Sequence, residues 1–295
     1  MTLTQLRYAL AVLEHGSISA AARACYVSQP SLSEGLSQLE TQLDVMLFER
    51  TARGTKPTEE GLVLLEQARR VLAEADTLQE LAAASKVGVL EGTIRLGVIP
   101  TIGPYLLPRM LLSLERAFPR LELQIEENLT SVLLEQLRDH RLDMAIVALP
   151  YEIGDDLCAI EAYEEPFYVG LPPDDPLADR TAISLDEIDG SDLLLLDEGH
   201  CLRDQALEAC QTPASALRRQ FRGASLETIR QFVLAGWGIS LFPELTIRPD
   251  EPLLIRPLEP PAHRDIVVVI RQGYARAESA RALADFLGEA IAQSD

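Results

Sequence analysis

Leu6, Leu10 and Leu13 recur at helical spacing near the start of the chain, and Gly16 closes the helix they predict. Ser17 or Ser19 can cap a second, alanine-rich helix over "SAAARACYV", and "SQP" makes a short turn. A third helix follows, with Ser28 as N-cap and Pro30 in its first turn. It places Leu32, Leu36, Leu39 and Leu43 on one face and Gln29, Ser31, Ser33, Ser37 and Gln38 on the other. "FERTARGTKPT" then reads as a hairpin wing, with Arg50, Arg53 and Lys56 available to phosphates. Helix, short helix, turn and polar-faced helix is the order of a helix-turn-helix, whose second helix enters the major groove. On pattern alone, a plain three-helix bundle with a solvated polar face remains the alternative.

Further on, Leu65, Ala68, Leu72, Ala75, Leu78 and Ala82 form one apolar stripe on a long helix that Thr58 can cap. With little else in the segment to cover it, the stripe predicts pairing with a second copy; packing against its own chain is the other reading. Gly88 and Gly92 bracket the exit. Strands and helices alternate from Glu91 onward, from "TIRLGVI" to "AESARALADFLGEAIAQ", with "DLLLL" and "GISLF" among the predicted strands. This predicts an α/β region with at least two sheets, in which ligands bind where strand ends meet helix starts.

The 295 residues are enough for two or three domains. With 47% apolar and 24% charged residues, the chain reads as soluble. A formal net charge of −20 argues against sequence-blind nucleic-acid binding but not against a small DNA-reading surface. Within the first sixty residues acidic side chains outnumber basic ones, seven to five, so a single copy would bind DNA weakly. No signal peptide and no membrane span is read, which places the protein in the cytoplasm, off any membrane. In that reducing compartment a disulfide among the four cysteines would be transient and functional. The four histidines are scattered and there is no C-x-x-C, so no metal ligands and no cofactor are expected.

The stretch "SISAAARACYVSQPSLSEGLSQLETQLDVMLFERTARGTKPTEEG" closely resembles the N-terminal winged helix-turn-helix of LysR-type transcriptional regulators. The resemblance implies sequence-specific binding of double-stranded promoter DNA by a dimer or tetramer, a dimer of dimers in the second case. It places Ser28, Gln29, Pro30, Ser31, Ser33, Ser37 and Gln38 in the groove and Arg50 and Arg53 at the backbone. RNA polymerase is the implied further partner. For the rest of the chain it implies two α/β subdomains flanking a cleft, like a bacterial solute-binding fold, with a crossing near Tyr163 and a return near Asp265. The expected layout is a DNA-binding domain over 1–58, a linker helix over 59–90, one subdomain from 91–162 plus 267–295, and a second over 163–266.

"GHCLRDQALEAC" holds two cysteines nine positions apart in a segment that reads as a helix. A thiol in the first turn, at Cys201, would face free backbone N–H groups, with His200 and Arg203 as possible positive partners. Those surroundings predict a lowered thiol pKa. From spacing alone the plainer reading is two buried small residues. However, "LDEGHCLRDQALEAC" resembles the redox segment of the peroxide-sensing members of the LysR group, with the same C-x8-C spacing. That resemblance implies that Cys201 is the peroxidatic residue and Cys210 the resolving one. "GVIPTIGPYLLP" and "ENLTSVLLEQL" follow the same pattern and put Thr101 and Thr130 beside Cys201 and His200. Their hydroxyls can hold a peroxide and its departing oxygen, although each threonine can also serve as a helix cap. If the reduced segment is helical, its ends lie ~13 Å apart along the axis, beyond disulfide reach, so oxidation requires refolding.

The expected protein is therefore a peroxide-activated transcription regulator rather than an enzyme, with an external thiol reductant to reset it. A LysR-type regulator answering to a small metabolite in the cleft remains the alternative. A thiol peroxidase and a transport solute-binding protein are disfavoured by the DNA-binding module. "QTPASALRRQFRGASLET" matches the peroxide-sensing pattern least well.

Overall fold

The computed structural model describes residues 1–51, 54–84, 89–184, 187–188, 193–210, 225–248 and 251–292. The chain divides into two compact units, Met1–Lys86 and Val87–Asp295.

In the first unit α1 (Leu3–His15), α2 (Ile18–Ala24) and α3 (Gln29–Leu43) precede a two-stranded hairpin, β1 (Phe48–Thr51) and β2 (Gly54–Pro57), and the long α4 (Glu59–Ala84). The helix starts follow the sequence signals. Thr2 and Gln5 form a reciprocal capping box, and Ser17, rather than Ser19, caps α2. Ser28 caps α3 by accepting from the Ser31 amide. Gly16 ends α1 at a φ of +65°, in the left-handed region glycine enters without strain. Ala9, Val12, Ala21, Leu32, Leu39 and Leu47 form the buried centre.

The α4 stripe divides between the two readings, pairing with a second copy and packing against its own chain. Leu65, Ala68 and Leu72 are buried within this unit, because α4 packs back on α1. Leu78 is left exposed. Only the distal part of the described stripe is free for a second copy.

In the second unit β3 (Gly92–Val98), α5 (Gly103–Ala117), β4 (Leu121–Glu127), α6 (Thr130–Arg138) and β5 (Met144–Leu149) form a right-sized α/β layer with β3 parallel to both β4 and β5. The chain then runs through β6 (Leu157–Leu171), β7 (Ile183–Ser184), α7 (Cys201–Ala209), α8 (Leu226–Leu234), β8 (Ser240–Pro243), β9 (Leu254–Glu259), β10 (His263–Arg271) and α9 (Ala277–Ala292). The sheet order is β4-β3-β5-β10-β6-β9-β7, with β8 also pairing with β6. The fifteen-residue β6 joins both halves: its first part pairs with β10 and its last with β8 and β9. Each half has its own core, one around Leu96, Met144 and Val268, the other around Val169, Leu194 and Phe242. Among the described residues, the strand expected at "DLLLL" is reduced to isolated bridges at Leu193, which pairs with Ile239, and at Leu196, although Leu193–Leu196 are all buried. No helix among the described residues is long and apolar enough to cross a membrane.

Candidate functional site

Thr101 lies just beyond the end of β3, and Thr130 opens α6 just beyond the end of β4. Neighbouring parallel strands thus deliver both threonines to the same edge of the sheet, where α/β folds place their sites. Neither is a helix N-cap: Ile102 and Leu129 hold those positions. Gly199, at a φ of +96°, turns the chain into α7, so that His200 becomes its N-cap and Cys201 its first residue.

Cys201, His200, Thr101 and Thr130 are all buried. Among the described residues the Thr130 hydroxyl has no well-formed hydrogen-bond partner, yet it lies close enough to the Cys201 thiol to favour its thiolate. The Thr101 hydroxyl accepts from Arg264 Nη1 at 3.0 Å, and the Thr101 carbonyl accepts from Nη2 at 3.3 Å. Arg264 is itself fixed by Glu165, donating from Nε at 2.8 Å, while the second Glu165 oxygen accepts from the Leu245 amide at 2.9 Å.

This arrangement corrects two expectations. First, the Cys201 thiol is raised from its ordinary value, not lowered. Burial is the largest cause, and it outweighs the Arg264 charge, the Thr130 hydroxyl and the amide N–H groups of Leu202 and Cys201. Second, Arg203 does not supply the positive charge. Its guanidinium donates to the Leu196 carbonyl at 2.9 Å, and the cation acting on Cys201 is Arg264. His200 is lowered by burial against the pull of Asp197, so at neutral pH it is an uncharged imidazole rather than a cation.

Arg264 and Glu165 are the residues that reading the sequence missed. They lie 99 positions apart. The available signal was a charge at the inward position of an otherwise apolar strand, "HRDIVVVI".

Cys210 is the C-cap of α7. Neither Cys201 nor Cys210 is in a disulfide. Cys201 belongs to the first core of this unit, whereas Leu202, Ala206 and Cys210 belong to the second. The helix therefore spans both cores. Burial pushes the Cys210 thiol up to about 11. A cavity of about 520 Å³ is lined by Thr101, Tyr105, Arg109, His200, Thr246 and Arg248 among others, and it reaches the immediate neighbours of Cys201. Residues 211–224, which contain most of "QTPASALRRQFRGASLET", lie outside the described residues.

In the first unit Ser28, Gln29, Pro30, Ser31, Ser37 and Gln38 are exposed and Ser33 is half-buried, on the α3 surface facing away from its leucines. Several already have partners. The Ser28 and Ser31 hydroxyls are 2.8 Å apart, and Gln29 Oε1 accepts from Ser19 at 3.0 Å. Gln38 donates to Glu34 at 3.3 Å and accepts from Gln5 at 3.2 Å. Tyr26, which was not anticipated, is 96% exposed in the turn before α3, with a φ of +55°. Lys56 is exposed on β2. Arg50 lies in β1, but its side chain, like Arg53, lies outside the described residues.

Residues 3–62 match the family model described as "Bacterial regulatory helix-turn-helix protein, lysR family", and residues 88–292 match the "LysR substrate binding domain". The chain belongs to the LysR family. Within the LysR family its similarities include OxyR proteins. It is 40% identical over 278 residues to the "Hydrogen peroxide-inducible genes activator" of Dickeya chrysanthemi, covering 92% of this chain and 90% of that one. Among solved structures it is similar to a full-length OxyR variant from Pseudomonas aeruginosa, at a TM-score of 0.78, 36% identity and 98% coverage of both chains. A peroxide-bound OxyR variant from Corynebacterium glutamicum matches at a TM-score of 0.67 and 36% identity, covering 99% of this chain and 93% of that one.

Proposed function

We propose that this LysR-family protein is a cytoplasmic transcription regulator that senses hydrogen peroxide through Cys201 and passes the signal on as a Cys201–Cys210 disulfide. The observation that carries the reading is one helix with a cysteine at each end, neither in a disulfide, the first beside Arg264 and the Thr130 hydroxyl. The names of the relatives agree with it.

The Cys201 sulfur attacks one peroxide oxygen and the O–O bond breaks. The other oxygen leaves with the thiol proton as water, and Cys201 becomes a sulfenic acid. The Cys210 sulfur then attacks Cys201, displacing the sulfenic oxygen as a second water and closing the disulfide. Arg264, with Thr101 and Thr130, supports the developing negative charge. An external dithiol returns the two electrons. The refolding of α7 changes how the dimers of a tetramer sit on promoter DNA and meet RNA polymerase. Ser28 to Gln38 read the major groove, and Arg50, Arg53 and Lys56 hold phosphates.

The test is one equivalent of hydrogen peroxide added to the reduced full-length protein, followed by alkylation and peptide mass mapping. A linked Cys201–Cys210 peptide is the expected product. Oxidation of Cys201 alone would retain peroxide sensing and sink the disulfide. Four alkylated thiols would sink both. They would favour a regulator whose metabolite occupies the cavity of about 520 Å³, a volume far larger than peroxide needs.

The DNA reading has its own expected result. Lys56→Ala weakens binding evenly across sequences and lowers the salt slope by about 1, as loss of one phosphate contact does. Gln29→Ala relaxes preference at one base pair by about 1–3 kcal/mol. Fluorescence anisotropy over a salt series, on an operator selected from a random library, separates the two. Equal loss on all sequences for Gln29→Ala would remove it from the base-reading set.

A further inference from the structure

Where β6 and β10 run side by side, Glu165 pairs with Arg264, Glu164 with Asp265 and Pro166 with His263. Strand alternation splits these residues between two faces. Glu165 and Arg264 point inward to the Cys201 site and are buried. Glu164, His263 and Asp265 fall on the opposite face, the first two exposed and Asp265 half-buried. There they converge: His263 Nε2 lies 3.2 Å from Glu164 Oε1, and one donor atom from each of the three residues lies within 4.8 Å of the others.

Two carboxylates on directly paired residues repel one another across a strand pair. One imidazole can offset at most one of them, and then only when it is protonated. A cation seated among the three removes the repulsion and uses all three donors. The donor set decides its class. Two carboxylate oxygens would suit magnesium or calcium, but an imidazole nitrogen selects a first-row transition metal, and no thiolate is present to demand a softer ion. A donor separation of 3.2 Å is also the edge expected when two ligands sit ~2.0–2.2 Å from a shared ion. The exposure of Glu164 and His263 provides the entry path and leaves room for water to complete the coordination.

We propose that Glu164, His263 and Asp265 form a binding site for a divalent first-row transition-metal cation. The bound ion clamps β6 to β10 on the face opposite the Glu165–Arg264 pair, at the point where the chain passes between the two cores. The scattered histidines concealed this site from sequence reading, because Glu164 and His263 come together only through the strand pairing.

Calorimetric titration of the reduced full-length protein with Co²⁺, in excess Mg²⁺, tests it. One site per chain is expected, weakened at least tenfold by His263→Ala and, separately, by Glu164→Gln. Replacing residues outside a metal's ligand set already costs about 10–100-fold, so losing a ligand should cost no less. Both substituted side chains are exposed, so the variants should keep the parent's far-UV circular dichroism and unfolding midpoint. The cobalt absorption should lack a thiolate charge-transfer band. No saturable binding, or binding that survives both substitutions, overturns the proposal. So does a thiolate band that disappears on cysteine alkylation.

Discussion

Replacing Arg264 with methionine lowers the stability of the Val87–Asp295 unit by about 3–5 kcal/mol, the usual cost of removing one partner of a buried ion pair. Arg264 is 0% exposed and Glu165 2%. Without the guanidinium, Glu165 retains, among the described residues, only the Leu245 amide, and Thr101 loses both donors that Arg264 supplies. The packing of Arg264 over the Phe167 ring, 6.0 Å from its centroid, is lost as well. The double variant Glu165→Met, Arg264→Met recovers most of the loss because no buried charge is left unpaired. Recovery falls short by about 1–3 kcal/mol, since the Leu245 amide is then orphaned. Urea unfolding of the full-length chain, followed by a probe in this unit, gives both numbers. A double variant no more stable than the single one would refute the argument. The double variant also separates support from chemistry: it folds, yet the charge beside Cys201 is gone. Its peroxide oxidation should slow by about 10²–10³-fold, the size of losing one preorganised stabiliser of developing charge.

The features legible in the sequence are those written in neighbouring residues. Leucine spacing, the Ser17 and Ser28 caps and Gly16 specify the first three helices locally, and the structure uses each of them. The two cysteines at the ends of one helix are equally local. Thr101 and Thr130 were reached through the resemblance of their segments to the peroxide-sensing pattern; in the structure each follows a strand of a parallel pair. What could not be read depends on distant pairing or on burial. Thr101 and Arg264 are 163 positions apart, and nothing near either one announces the other. The Cys201 pKa illustrates the second limit. A helix start with basic neighbours predicts a lowered thiol, but the sequence does not reveal that the turn is sunk in a core, where desolvation dominates. Arg203 failed for a related reason: the nearby Leu196 carbonyl captures its guanidinium. The α4 stripe was read with the right period, but its period could not show that the two readings share it: its first half is buried within the chain, where α4 packs on α1, and Leu78 is left exposed.

In full-length protein carrying Cys210→Ser, one equivalent of peroxide leaves Cys201 as a sulfenic acid and α7 intact. In the unsubstituted protein the same dose dismantles α7. The reduced helix holds its two cysteines at opposite ends, their Cα atoms ~13 Å apart along the axis, whereas a disulfide requires Cα atoms within roughly 4.4–6.8 Å. Closing it pulls Leu202, Ala206 and Cys210 from the core they share, and fully exposing the leucine alone costs about 1.5–3 kcal/mol. Resolution is also held back chemically. With its thiol pushed up to about 11, only about one Cys210 in a thousand is thiolate at pH 8. Opening α7 exposes Cys210 and returns it to an ordinary thiol, so opening must precede the second step. The sulfenic acid should therefore accumulate transiently in the unsubstituted protein and persist in Cys210→Ser. A sulfenic-acid trapping reagent with mass spectrometry follows the sulfur, and hydrogen exchange across residues 201–210 follows the helix. If exchange protection were lost equally in Cys210→Ser, the sulfenic acid itself would be the switch and the second cysteine only its protection.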